Sequence, residues 1–177
     1  MENYKKNLEL LTKNHVYSKE MEHDACGVGL IASTEGKKSR AIVEYGIEAL
    51  KAVWHRGAVD ADGKTGDGAG IHVEIPKDFF IEKIQVTGHD YDNSEICVGM
   101  IFLPRNDYSA QENCKTIVES ELTKNNFSIY GWRQVPVNPK ILGEKAFQTM
   151  PEIIQVLFKS NDPNLLDKNL ERKIYET

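Results

Sequence analysis

Cys26 stands among small residues in His23-Asp24-Ala25-Cys26-Gly27-Val28-Gly29, at the head of an apolar stretch. Were the peptide bond before it cut, one residue would carry both a thiol nucleophile and a free α-amine. The amine titrates at roughly 7.7 to 8.0 and an unperturbed thiol at about 8.5, so near neutral pH the amine can take the thiol proton. This is the cysteine counterpart of a threonine activated by its own terminal amine. The competing explanation is packing, because cysteine is among the most buried residue types and commonly serves as a small hydrophobe. Cys97 and Cys114 look like that second kind. Cys97 lies inside the apolar run Ile96-Cys97-Val98-Gly99-Met100-Ile101-Phe102-Leu103, and Cys114 follows Asn113 on an expected amphipathic helix. Neither has an activating neighbour in sequence.

A second chemically suggestive stretch runs from Trp54 to Gly70 and reads Trp-His-Arg-Gly-Ala-Val-Asp-Ala-Asp-Gly-Lys-Thr-Gly-Asp-Gly-Ala-Gly. Gly63-Lys64-Thr65 imitates a nucleotide phosphate loop, but that loop needs four residues after its first glycine, and Gly57 leaves five. Asp60, Asp62 and Asp67 would also repel phosphate. A metal site fails on order: His55, Asp60 and Asp62 lack the Asp-x-Asp-x-Asp-Gly series and distal glutamate of a calcium loop, and the cysteines lack zinc-ligand spacing. What remains is either a solvated turn or a backbone that turns sharply beside another part of the structure, which the glycines at 63, 66, 68 and 70 favour.

Composition narrows the functional classes. A net charge of −5 argues against a nucleic-acid or anionic-membrane surface, and no cluster of basic residues reverses this. Three irregularly spaced cysteines do not form a disulfide framework, which fits a reducing cytoplasm. No apolar run approaches the roughly 20 residues needed to cross a bilayer. In the first 25 residues, leucines are interleaved with lysines and asparagines instead of forming a signal-peptide block, so the segment reads as a polar arm or a removable leader.

The elements that must position these residues follow from the apolar pattern. Residues 27–32 predict a short strand, and residues 38–54 a helix capped by Ser39 whose apolar stripe runs through Ile42, Gly46, Ala49, Leu50 and Val53. After the loop at 55–70, a strand is expected at 71–75, ended by Pro76, then a short helix around Phe79, Phe80 and Ile84. A strand at 96–103, a helix at 108–124, a strand at 127–137 interrupted near Gly131, a loop around 138–143 and a strand at 152–158 complete the middle of the chain. Asp162-Pro163 predicts a final helix start, and that helix is still running at Thr177, as expected of a truncated domain. Strands that are apolar throughout imply a sheet covered by helices.

Several of these motifs occur together in a familiar order. Asp24-Ala25-Cys26-Gly27-Val28-Gly29, His55-Arg56-Gly57-Ala58, Thr65-Gly66-Asp67-Gly68-Ala69-Gly70-Ile71, Gly131-Trp132-Arg133-Gln134-Val135-Pro136-Val137 and the Leu142-Gly143 turn resemble the beginning of glutamate synthase large subunits, over roughly residues 22–175. The resemblance implies a class II glutamine amidotransferase domain of α+β class, an Ntn-hydrolase-like four-layer αββα sandwich that is incomplete at its C-terminal end. Residues 1–25 would be the leader, removed after Ala25, and residues 26–177 the first part of the domain. Cys26 maps onto the nucleophile that forms a γ-glutamyl thioester and releases ammonia from glutamine. Arg56 maps onto the cation beside it, with Gly57, Asp67 and Gly68 shaping the same pocket.

The resemblance also bounds the chain. It implies no cofactor or metal on these residues, with FMN and an iron-sulfur cluster on later domains. The partners it implies are those domains and either a small reductase subunit or ferredoxin, in a cytoplasmic enzyme. The family's oxyanion-hole Asn-Gly pair and its glutamine-gripping arginine and aspartate fall beyond position 177, so little glutaminase activity is expected of the 177 residues alone. Two other readings stand beside it. One is a catalytically silent scaffold or interaction module of the same fold. The other is another class II amidotransferase, phosphoribosyl or asparagine-forming, which fits Cys26 but fits Thr65 to Ile71 poorly.

Overall fold

Residues 27–53, 59–66 and 68–177 are described by a computed structural model. The chain divides between Ala58 and Val59 into two units. In the first, helix α1 (Arg40–Ala52) forms where the i, i+4, i+7 stripe predicts it. Ser39 caps it in extended conformation without a side-chain hydrogen bond, Lys51 lies in the last turn where the helix dipole favours a cation, and Val53 N–H closes on Ala49 O at 3.3 Å. None of the α1 residues is buried.

The strand expected at 27–32 is absent: this stretch is coil, with Val28 93% and Leu30 90% exposed. The strand expected at 71–75 is likewise extended coil, with Ile71, Val73 and Ile75 exposed. An apolar run becomes a strand only when another backbone takes up its amides and carbonyls. Among the described residues, no strand pairs with either segment.

The second unit holds α2 (Lys77–Val86), β1 (Cys97–Leu103), α3 (Tyr108–Lys124), β2 (Phe127–Gln134), a 3-10 turn (Pro139–Ile141), α4 (Glu144–Thr149), β3 (Glu152–Ser160) and α5 (Asp167–Glu176). The sheet order is β1-β3-β2 with both pairings antiparallel. β1 and β2 therefore run parallel to each other, joined by α3, with β3 inserted between them as in a split β-α-β unit.

Helices cover both faces of the sheet. On one, Cys97, Val156 and Phe158 pack with Leu122 of α3 and Leu170 of α5, and Trp132 Nε1 donates to Glu119 Oε1 at 2.7 Å. On the other, Phe80 and Ile84 of α2 pack with Ile96, Tyr130 and Leu157. Adjacent β3 residues serve opposite faces, as a pleated strand requires.

The irregularity expected near Gly131 is a β-bulge. Ile129 pairs with Phe158 and Gly131 with Leu157, leaving Tyr130 as the additional residue. The bulge resets the strand's phase, so Ile129 and Trp132, three positions apart, pack against the same cluster while Tyr130 is buried in the other. Gly131 has φ +147, and a Cβ there would lie 2.8 Å from Thr87 Cγ2.

Three other boundaries differ from expectation. β2 ends at Gln134, although Val135 N–H still reaches Ile153 O at 3.1 Å. α4 was not expected. The last helix starts at Asp167, because Asp162 instead closes a turn, accepting Asn164 N–H on Oδ1 at 2.9 Å and Leu165 N–H on its carbonyl at 3.2 Å.

Candidate active site

Of the residues expected at the site, Cys26, Arg56, Gly57 and Asp67 lie outside the described set. Gly68 is exposed, and the space around its missing Cβ is open to 4 Å. Gly70 is similarly open, so among the described residues no backbone closely approaches either position. The sharp turn is present at Gly63, whose φ of +67 falls in the left-handed region that glycine enters without penalty.

That turn belongs to a short hairpin leading into the glycine-rich segment. Val59 and Gly66 form an antiparallel bridge. Within it, Asp60 N–H donates to Thr65 O at 2.7 Å, and Gly63 N–H to Asp60 O at 2.9 Å. Asp62 organises the tip. Its Oδ1 accepts the amides of Lys64 at 2.9 Å and Thr65 at 2.7 Å, and its Oδ2 accepts the Thr65 hydroxyl at 2.5 Å. The Glu144 backbone, in the first turn of α4, is the smallest of the influences that lower this carboxyl.

Those donors hold the Asp62 carboxyl down to about 2, with the Thr65 hydroxyl contributing most, then the Thr65 and Lys64 amides. Beside it, Lys145 Nζ donates to Asp60 Oδ2 at 2.6 Å, lowering Asp60 below the ordinary carboxylate range and raising the lysine. A carboxylate whose oxygens are engaged in this way is neither a free base nor an open metal ligand. Among the described residues, no group of three histidine, cysteine or acidic side chains is arranged to hold a metal ion.

Gly143 explains how the hairpin fits. It is buried, and a Cβ there would overlap Thr65 Oγ1 and Asp62 Oδ2 and come within 2.5 Å of the Thr65 nitrogen. The Leu142-Gly143 turn therefore receives the tip of the hairpin against bare backbone. Sequence reasoning weighed Asp62 only as a rejected metal ligand and as a charge that would repel phosphate. The usable signal was Asp62 two and three residues before Lys64 and Thr65, the spacing of an aspartate that accepts nearby backbone amides in a turn.

In sequence, the hairpin is followed by Asp67 and Gly68, and the segment before it carries Arg56 and Gly57. The model of the glutamine amidotransferases class-II family matches residues 26–177. The chain belongs to that family. Its relatives include glutamate synthases. It is 53% identical over 172 residues to the glutamate synthase [NADPH] large chain of Azospirillum brasilense, covering 97% of this chain and 11% of that one. It is 38% identical over 167 residues to the ferredoxin-dependent glutamate synthase of Pyropia yezoensis, covering 94% and 10%. With the glutamate synthase [NADH] of Saccharomyces cerevisiae it shares 35% over 173 residues, covering 92% and 8%. The amidotransferase chain spans about a tenth of the length of these curated relatives. Among its described residues, no helix is long and apolar enough to cross a membrane.

Proposed function

We propose that this amidotransferase domain supplies ammonia from glutamine within a glutamate synthase. The observation that carries the proposal is the family match, which begins on Cys26 itself and runs to Thr177. A nucleophile at the first residue of a mature domain is its own base. After removal of residues 1–25, the Cys26 amine takes the thiol proton and the thiolate attacks the side-chain carbonyl carbon of glutamine. The tetrahedral intermediate collapses as the C–N bond breaks, the ammonium returns its proton to the leaving group, and ammonia departs. Water then hydrolyses the γ-glutamyl thioester to glutamate and regenerates the thiol.

Arg56 supplies a fixed cation that favours thiolate, while Gly57, Asp67 and Gly68 form the adjoining wall. The fold in this reading is the four-layer αββα sandwich, of which the described sheet and the helices on its faces are a part. Reductive transfer of the ammonia to 2-oxoglutarate, FMN, the iron-sulfur cluster and a reductase subunit or ferredoxin belong to other domains and partners. The oxyanion donors likewise lie outside these residues, and one such donor is worth on the order of 10² to 10³ in rate.

The test uses the protein expressed from its complete gene. Glutamine-dependent ammonia release should be present, and Cys26→Ser should reduce it to background. Intact-mass analysis should show Cys26 as the first residue. Unchanged activity in Cys26→Ser overturns the assignment, and retention of residues 1–25 in a fully folded, inactive protein favours the silent scaffold.

A further inference from the structure

At the end of the sheet where β1 stops and β3 begins, the surface of the second unit opens into a cleft of about 430 Å³ between residues 102–106 and 148–151. Its apolar walls include Phe102, which is 63% exposed, Met150 and Pro151, and its charged group is Arg105. No acidic residue lines it, in a chain that carries 27 acidic residues against 22 basic ones. The acids that flank the lining in sequence are engaged elsewhere: Asp107 accepts Ala110 N–H at the start of α3, and Glu152 accepts Gln134 Nε2. No ion pair among the described residues includes Arg105.

The cleft is also held in shape from beneath. Arg105 lies over the Phe147 ring, its Cζ 4.6 Å from the centroid, and Nη1 donates to Phe147 O at 3.2 Å, so α4 supports the guanidinium from one side. Gln111, a buried polar side chain of α3, holds the backbone: its Nε2 donates to Pro104 O at 2.7 Å and to Arg105 O at 3.3 Å. A cation fixed in this way loses little freedom when something binds to it. Its donors form a rigid fork that matches a carboxylate, and Phe147 O takes only one of them.

We propose that this cleft is a docking site for a segment of the same polypeptide outside residues 1–177, which presents a carboxylate to Arg105 and an adjoining apolar side chain to Phe102 and Met150. Charge complementarity calls for the acid, and the exposed aromatic beside the cation calls for the apolar neighbour, since arginine and aromatic residues are the usual anchors of interfaces. The relatives favour an occupant in the same chain, because most of the length of each lies outside the matched segment. A tethered segment meets the cleft at an effective concentration of up to about millimolar, which one ion pair and one apolar contact suffice to exploit. The docking concerns assembly of the polypeptide and is independent of the Cys26 chemistry.

The experiment uses the protein expressed from its complete gene, with photoreactive benzoylphenylalanine replacing Asn106 at the rim of the cleft. After irradiation, the cross-linked peptide is mapped by mass spectrometry. It should come from the same polypeptide outside residues 1–177, in a product of single-chain mass, and carry Asp or Glu beside an apolar residue. Arg105→Glu should lower the cross-link yield about tenfold, and changing the captured acid to lysine in that background should restore it to within about threefold of wild type. Phe102→Asp, at an exposed position, should lower the yield about fivefold.

Capture within residues 1–177, capture of a second polypeptide or no capture overturns the proposal. So does a yield that Arg105→Glu leaves unchanged, or one that the charge exchange fails to restore. Should Arg105→Glu fail to fold, Phe102→Asp decides: an undiminished yield in that variant overturns the docking site.

Discussion

Cys97 is 3% exposed, and its thiol is pushed up to about 12, first by burial and then by the Glu95 carboxylate. A raised pKa on an acid stabilises the fold while the unfolded thiol stays protonated. Above about 9 the unfolded chain ionises and the folded chain does not, so stability falls through pH 9 to 12, at up to about 1.4 kcal/mol per pH unit. Urea unfolding across that range should show the slope in wild type and its reduction in Cys97→Ala. Asp62 has the opposite sign. Its depressed pKa gives an interaction present above about 4 and lost as pH falls towards about 2. The Thr65 amide resonance should titrate with a midpoint near 2, and a midpoint near 4 would mean that the hydrogen bonds are not formed in solution. Both residues show what the sequence held. The packing of Cys97 was legible from its apolar run and the Asp62 turn from its spacing to Lys64 and Thr65, but the seat of that turn against Gly143 was not, because Gly143 leaves no trace in the local pattern around Asp62.

At the level of elements, local signals worked where the element makes its own hydrogen bonds or packs at a regular period. α3 runs from Tyr108 to Lys124 as expected, its Asp107 cap accepting Ala110 N–H at 2.9 Å. β1, β3 and the glycine irregularity in β2 were equally legible. The stretches at 27–32 and 71–75 were not, since an apolar run says nothing about whether a partner backbone adjoins it. Two glycines within the sheet give sharp tests. Gly131→Ala combines a left-handed φ with overlap on Thr87, and should destabilise the domain by about 2 kcal/mol or more in denaturant unfolding. Gly99→Ala places a methyl 2.8 Å from Val156 Cγ1, for an expected cost of about 1 to 3 kcal/mol. Combined with Val156→Ala, which makes the space, the loss should be smaller than the sum of the single variants.

Across the whole molecule, the two units differ in what holds them. From Val59 onward, described residues form two apolar clusters on either side of one sheet, whereas no α1 residue is buried. Amide hydrogen exchange should therefore be slowest in β3, which is paired along both edges, and orders of magnitude faster through residues 27–53. Comparable protection in the two would contradict the division. The placement of β3 has a further consequence during synthesis. The strand at the centre of the sheet is the last of the three to be made, and β1 and β2 never touch as neighbours. The interval from Leu103 to Ser160 takes roughly 3 to 11 seconds at typical translation rates of about 5 to 20 residues per second. Throughout it, the emerging chain carries β1 with both edges open, and the arrival of β3 closes the two pairings at once.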